Sequence, residues 1–140
     1  MCLIAKNNVI NIATNDITVY KIIKMNNESI YRGFSYNYKK KYKLNKSLKI
    51  DNDGKRLIIF EGFHAYTSKN IAEDNYCDMI FSEKIVEFII PKGSEFVISY
   101  DDQEIVSNQI ISGNLGYKNW FSYAYEKMII VINTIADILN

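Results

Sequence analysis

Short runs of β-branched and aromatic residues, separated by clusters of turn-forming residues, fill the first two thirds of this chain. Residues 17–25 and 29–38 are two such runs, and the tight Asn-Asn-Glu connection between them predicts a β-hairpin. The Asn-Asp-Gly sequence at 52–54 tolerates left-handed backbone conformations, so it predicts a further turn that leads into an apolar strand at 57–60. This pattern predicts mostly β-strands in the first two thirds of the chain.

A short helix is predicted to interrupt the strands in the middle of the chain. Ser68 is a typical N-terminal cap, and the residues that follow it favour helix over strand. The apolar run at 85–90, interrupted only by Glu87, predicts the next strand, and the Pro-Lys-Gly sequence at 91–93 predicts a turn after it. Residues 95–100 are then expected to return in antiparallel pairing with that strand, and residues 104–111 supply one more candidate strand.

The C-terminal segment, residues 119–140, is apolar in a different way. Its hydrophobic residues are expected to lie all round a helix, and such a helix must be covered by something. Packing across the sheet and a homo-oligomer interface formed by residues 119–139 are both consistent with this composition, and a strand at 128–132 is a further alternative. Polar residues interrupt the apolar run at Glu126, Lys127, Asn133, Thr134 and Asp137. The uninterrupted stretches are therefore too short for a membrane span.

These patterns together predict an α+β fold. We expect residues 1–140 to form a single domain of mostly antiparallel sheet, with a short middle helix and a C-terminal apolar helix. A chain of 140 residues that is 48% hydrophobic can bury a core without metals or disulfides.

Charge and cysteine content narrow the classes of function. The net charge of +1 gives no overall field that would attract nucleic acid or an anionic membrane, so we expect neither as a partner. Cys2 and Cys77 have no metal-type spacing, and the chain starts without a secretory signal pattern. We therefore expect a cytoplasmic protein with free thiols.

A lysine-rich segment is the strongest local concentration of charge. Residues 39–49 contain six lysines, and aromatic residues are interleaved with them. Ammonium groups next to aromatic faces suit a phosphate-bearing ligand or an acidic protein partner, whereas lysines on a strand edge also simply prevent aggregation. The candidate binding residues here are Tyr36, Tyr38, Lys40, Lys41, Tyr42, Lys43 and Lys46.

The only histidine, His64, is a further candidate binding residue. Its pKa near neutrality suits acid–base chemistry, but no Asp, Ser or Cys partner motif accompanies it, and no spacing of ligands predicts a metal site. We interpret His64 first as a hydrogen-bonded packing residue.

Three short motifs carry a family resemblance. The sequence Tyr-Arg-Gly-Phe at 31–34, Gly-Phe-His-Ala at 62–65 and Pro-Lys-Gly at 91–93 resembles a set of small proteins that recur in bacterial genomes and their phages. The resemblance assigns no activity. It implies a phage or mobile-element accessory protein, and anti-defence proteins of this kind bind a host protein or sequester a small nucleotide signal.

A second resemblance concerns the order of an arginine, a Ser/Thr motif and a glutamate. Arg32, Thr67, Ser68 and Glu87 are similar in order to the Arg, Ser-Thr-Ser and Glu series of ADP-ribosyltransferases. The resemblance implies NAD as cofactor, with Arg32 on the phosphates, Thr67 and Ser68 ordering the nicotinamide pocket, and Glu87 stabilising a cationic transition state. The alternative is structural: an exposed Arg32, a helix cap at Thr67 and Ser68, and a solvent-facing Glu87.

On balance we favour a non-enzymatic binding protein that needs no cofactor. An ADP-ribosyltransferase-like enzyme and an oligomeric scaffold built around residues 119–139 are the two alternatives. The complete catalytic set that an enzyme requires is not recognisable in the sequence.

Overall fold

The computed structural model describes residues 3–30, 35–76, 83–116 and 120–139. Its strands are β1 (Leu3–Ile4), β2 (Asn11–Ile12), β3 (Ile17–Lys24), β4 (Lys41–Lys43), β5 (Asp51–Asn52), β6 (Leu57–Ile59), β7 (Phe63–Tyr66), β8 (Glu83–Ile90), β9 (Glu95–Ile98), β10 (Glu104–Ser107) and β11 (Gln109–Ser112). Its helices are α1 (Lys69–Asp74) and α2 (Trp120–Leu139). The predicted α+β class, with antiparallel strands, a short middle helix and a C-terminal helix, is confirmed.

The main sheet is built around one long ladder. Its strand order is β2-β9-β10-β7-β3-β8-β11-β4, and β3 pairs with β8 from Ile17 opposite Ile90 to Lys24 opposite Glu83. A smaller sheet has the order β1-β6-β5. Every pairing between these strands is antiparallel.

One bent segment joins the two halves of the main sheet. Only Asn108 separates β10 from β11, so the first half of the segment pairs with β7 and β9 and the second half pairs with β8 and β4. The backbone of Asn108 stays satisfied at the bend, because its N–H donates to the carbonyl oxygen of Glu95 at 3.1 Å and its own carbonyl accepts from Leu44 N at 2.9 Å. The sheet therefore curves back on itself.

The inner face of this curved sheet holds the larger core. Val19 and Ile23 of β3 are fully buried, as the alternation of a strand requires, and Val19 lies opposite the buried Phe88 of β8. Tyr36 closes over this cluster in an edge-on contact with Phe88, with ring centroids 4.9 Å apart. A second cluster fills the space between the smaller sheet and the opposite face of β9 and β10. Its buried members are Leu3, Ala5, Leu48, Ile59, Val97 and Val106.

Local turn and cap signals are confirmed where they fall on described residues. Gly54 adopts a φ of 86° in the turn between β5 and β6, and the Asp53 carboxylate accepts hydrogen bonds from the backbone N–H groups of Arg56 and Lys55 at 2.7 and 3.1 Å. These bonds lower the pKa of Asp53. Ser68 caps α1 by accepting a hydrogen bond from Ile71 N at 3.3 Å.

Strand partners were predicted less well than the strands themselves. The hairpin between residues 17–25 and 29–38 is wrong for the described residues, because residues 29–30 and 35–38 form no ladder with β3, which pairs with β8 along its whole length and with β7 at Tyr20. The turn at Asn27 does form, with φ 71°, but it leads only to an isolated bridge between Glu28 and Ser35.

The pairing predicted after the Pro-Lys-Gly turn is also wrong. β9 pairs with β2 and β10 instead of returning along β8. The turn is held by the chain that precedes β3: Gly93 N donates to Ala13 O at 2.8 Å, Ala13 N donates to Ser94 O at 2.8 Å, and Lys92 N donates to Asp16 Oδ1 at 2.8 Å. These bonds direct the chain across the end of the sheet.

The C-terminal segment is helical throughout its described length. Residues 128–132 lie inside α2, so the alternative of a strand there is excluded. Of the two alternatives for covering this helix, packing across the sheet is not observed along residues 127–139, where the large apolar side chains are exposed apart from the half-buried Ile129.

Candidate functional site

The lysine-rich segment forms an edge of the main sheet. β4 is the last strand in the sheet order and pairs only with β11 among the described strands. Lys40, Lys41 and Lys43 are exposed, as the interpretation of a solvated edge predicts.

The tyrosines of this segment divide between core and surface. Tyr36 is 3% exposed and belongs to the core, so its ring is not available to a ligand on this edge. Tyr42 is half-buried against Tyr36, with ring centroids 5.4 Å apart, and its hydroxyl accepts a hydrogen bond from Asn37 N at 2.6 Å. Tyr38 alone of the three is fully at the surface.

Some of these lysines already interact with other side chains of the same chain. Lys46 forms an ion pair with Glu61 at 2.5 Å, and the Lys40 ammonium lies 5.6 Å from the centre of the Tyr42 ring. The charge available to a partner therefore concentrates on Lys41 and Lys43 of β4.

The transferase-like residues have ordinary structural roles where they are described. Ser68 caps α1, and Thr67 Oγ1 donates to the carbonyl oxygen of Asp102 at 2.8 Å. Glu87 is exposed on β8, opposite Tyr20 of β3. Arg32 lies outside the described residues, as do Cys2, Cys77 and the whole Tyr-Arg-Gly-Phe motif. The NAD-binding series therefore stays a prediction.

His64 lies at the edge of a cavity. It stands opposite Val106 in the β7–β10 ladder, and its Nε2 is 3.4 Å from the carbonyl oxygen of Phe60. The cavity beside it has a volume of about 250 Å³. Its chemically distinctive lining residues are Lys21, His64, Tyr66, Glu83 and Glu104.

Sequence reasoning missed Lys21, the most unusual of these residues. Lys21 falls in phase with the buried Val19 and Ile23, so alternation along β3 points its side chain towards the core side. Burial lowers the pKa of Lys21 to about 8. The sequence signal for Lys21 was a lysine at a strand position that alternation predicts to face the core.

Glu104, also missed, has its pKa shifted in the opposite direction. Burial is the main cause of its raised pKa, and the nearby negative charge of Asp101 adds to it. Paired groups with perturbed pKa values in one cavity are typical of binding and catalytic sites.

The second unusual surface is one side of α2. Successive residues of an α-helix are turned by about 100°, which brings positions spaced alternately by three and four residues onto one line. Tyr125, Met128, Ile132, Ile135 and Leu139 have this spacing, and we call this line the α2 seam. Each of the five is between 50% and 79% exposed.

The polar residues of α2 group on the other side of the helix. Lys127, Asn133, Thr134 and Asp137 all fall within the opposite third of its circumference, although the apolar Ile130 falls there as well. The apolar surface extends beyond the α2 seam to Ile129, Val131 and Ile138, so the polar side is the narrower of the two.

Neither described helix is long and apolar enough to cross a membrane. The described ranges also contain no group of three or more His, Cys, Asp or Glu residues arranged to hold a metal ion.

Fold and surfaces thus define an α+β protein with an exposed amphipathic helix and a charged cavity. Comparison of the chain with protein-family models, with curated proteins and with solved structures gives no match. Function is therefore inferred from the chain's own geometry.

Proposed function

We propose that this protein is a non-enzymatic accessory binding protein, of the kind that phages and mobile elements encode, and that it works as a homo-oligomer joined through α2. The observation that supports this proposal is the α2 seam: a continuous apolar line with heptad spacing that nothing else in the described chain covers.

A heptad seam is complementary to another copy of itself. Helices whose apolar residues repeat every 3.5 residues on average pack knobs into holes along that line, with the alternate three- and four-residue spacings at positions a and d. Tyr125, Ile132 and Leu139 take position a in α2, and Met128 and Ile135 take position d. A second copy of α2 therefore fits this surface better than a flat sheet face does.

The residues that flank the seam favour more than two copies. Val131 and Ile138 lie on one side of the seam and Ile129 lies on the other, where two-stranded coiled coils commonly carry charges. Isoleucine at both an a and a d position, here Ile132 and Ile135, also shifts the preference from dimers to trimers or tetramers. The wide apolar surface compensates for a helix only 20 residues, or about 30 Å, long.

Assembly would multiply the weak charge of each subunit. Each copy presents Lys41 and Lys43 on the exposed edge strand β4. Several such edges in one particle bind an acidic protein partner with an avidity that no single copy has. This is how an oligomer of a nearly neutral chain serves as a binding protein.

Two isoleucines two residues apart on α2 provide a matched test. Ile132 lies in the seam and Ile130 lies on the polar side, yet both are 53% exposed in the single chain. We expect Ile132→Asp to give a monomer, because it places a charge in the helix contact, and Ile130→Asp to leave the oligomer intact. Size-exclusion chromatography with light scattering measures both masses.

Circular dichroism of each variant checks that the sheet remains folded. A wild-type protein that elutes as a monomer contradicts the proposal. So does an equal effect of the two substitutions, since the seam would then have no special role.

A further inference from the structure

Hydrogen bonds at the two ends of β4 fix which way its backbone groups point. Leu44 N donates to Asn108 O at 2.9 Å, and Ser112 N donates to Lys40 O at 3.0 Å. Each bond joins two residues that stand directly opposite each other when the register of β4 and β11 is extended by one position. In an antiparallel ladder such hydrogen-bonded pairs alternate with pairs that share no hydrogen bond.

Lys41 and Lys43 are the residues of β4 whose backbone groups point away from β11. They stand opposite Ile111 and Gln109, one position from the hydrogen-bonded pairs. No described strand pairs with the other side of β4. The N–H and C=O groups of both lysines therefore face an open edge, where another strand can pair with them.

The side chains of these two lysines determine which strand suits the edge. Tyr42, between them, contacts the buried Tyr36 on the core side, so alternation places both lysine side chains on the outer face. Both are exposed, and neither forms an ion pair within the described part of the chain. Their neighbours across the ladder, Gln109 and Ile111, carry no charge. The positive charge of this edge is therefore not compensated by β11.

A second copy of β4 does not suit this edge. Antiparallel pairing of two copies would set Lys41 opposite Lys43, and like charges directly opposite each other are destabilising. A segment with an acidic residue at every second position has the complementary charge. Its carboxylates repeat about every 7 Å along one face of a strand, as the side chains of the two lysines do.

We propose that β4 binds an extended acidic segment of a protein partner as an added antiparallel strand, with carboxylates opposite Lys41 and Lys43. Main-chain hydrogen bonds hold such a segment, and its side chains give specificity. All pairings between described strands of this sheet are antiparallel. The inference rests on the proposed binding function and names how the acidic partner is held, but it does not require assembly through α2.

The probe is a capped peptide of five residues in which threonine and glutamate alternate, with glutamate at the second and fourth positions. Amide signals of the isotopically labelled full chain are followed as the peptide is added. Those of Lys41 and Lys43 are expected to shift, because their N–H groups gain acceptors, and that of Thr134 in α2 is expected to stay unchanged. Failure of the peptide to shift the two lysine signals at millimolar concentration overturns the proposal.

Two methylated peptides separate strand pairing from attraction by charge alone. In the proposed arrangement the N–H groups of the glutamates face β4, and those of the threonines point away from it. The peptide N-methylated at both glutamates is expected to lose binding, whereas the peptide N-methylated at the threonines is expected to bind like the unmodified one. Equal binding of the glutamate-methylated and unmodified peptides overturns the proposal.

Substitutions in the protein test the charge contribution. Lys41→Gln and Lys43→Gln are each expected to weaken the unmodified peptide by about two- to fivefold, because one exposed ion pair is lost. Lys55→Gln is the matched control, since Lys55 is an exposed lysine in the turn between β5 and β6. An equal loss of affinity in all three variants contradicts the assignment to β4.

The peptide test is independent of the oligomeric state. Each copy has one β4 edge, so the affinity per chain is expected to be the same for the wild-type protein and for Ile132→Asp. A wild-type protein that assembles but binds no peptide contradicts strand addition alone. A wild-type protein that binds the peptide as a monomer supports strand addition and contradicts assembly through α2.

Discussion

Lys21 and Lys84 place two ammonium groups on the core-facing side of neighbouring strands. Lys84 lies opposite the buried Ile23, and its Nζ donates to Asn27 Oδ1 at 2.5 Å and to the carbonyl oxygen of Leu115. Burial lowers the pKa of each lysine to about 8. The alternation of β3 makes Lys21 recognisable from the sequence. The limited pairing of β3 with β7, a single contact between Tyr20 and Tyr66, cannot be recognised from the sequence, because it depends on which distant strands pair.

These lysines predict an unusual dependence of stability on pH. Each has an ordinary pKa of 10.5, which the unfolded chain keeps, and a pKa of about 8 in the folded chain. The unfolded chain therefore binds more protons between these values, so the free energy of unfolding rises as pH increases through that window. Urea titrations at about pH 7.5 and about pH 9.5 measure the change.

Single substitutions assign this effect to the two lysines. Lys21→Met and Lys84→Met should each reduce the rise in stability with pH, because each removes one perturbed group. Lys24→Met should not, since Lys24 is exposed and only approaches Glu28, at 3.9 Å. A rise that is the same in all three variants would refute the assignment.

At the scale of elements, local signals identified the strands but not their partners. The Asn-Asp-Gly turn and the Ser68 cap act within a few residues, so the sequence around them was sufficient. β9 joins β2 and β10 because bonds from Ala13 and Asp16 hold the preceding turn, and those residues lie far away in the sequence. No local pattern contains that information.

Gly113 shows how closely β11 and β8 approach. A Cβ atom there would collide with the backbone carbonyl oxygen of Glu87 on β8, a strand that is held on both sides by β3 and β11. We expect Gly113→Ala to destabilise the protein by about 1–3 kcal/mol, because the backbone has little room to move.

Gly54→Ala is the comparison, since its Cβ meets nothing within 4 Å and only its φ of 86° is unfavourable. The midpoints of urea unfolding compare the two variants. A loss for Gly113→Ala no greater than that for Gly54→Ala would contradict the close contact.

At the scale of the whole molecule, α2 gives the described chain a surface that one copy does not bury. The helix itself was predicted, and its apolar composition also predicted that another surface must cover it. The face that needs cover follows from the angular positions of Tyr125, Met128, Ile132, Ile135 and Leu139. That the sheet does not cover this face follows only from the three-dimensional arrangement.

Native mass spectrometry of the freshly purified full chain tests assembly through α2 most directly. We predict a complex of three or four subunits for the wild-type protein and for Ile130→Asp, and a single subunit for Ile132→Asp. A wild-type spectrum that contains only single subunits at micromolar concentration, or an Ile132→Asp spectrum identical to that of the wild type, would contradict the proposed function.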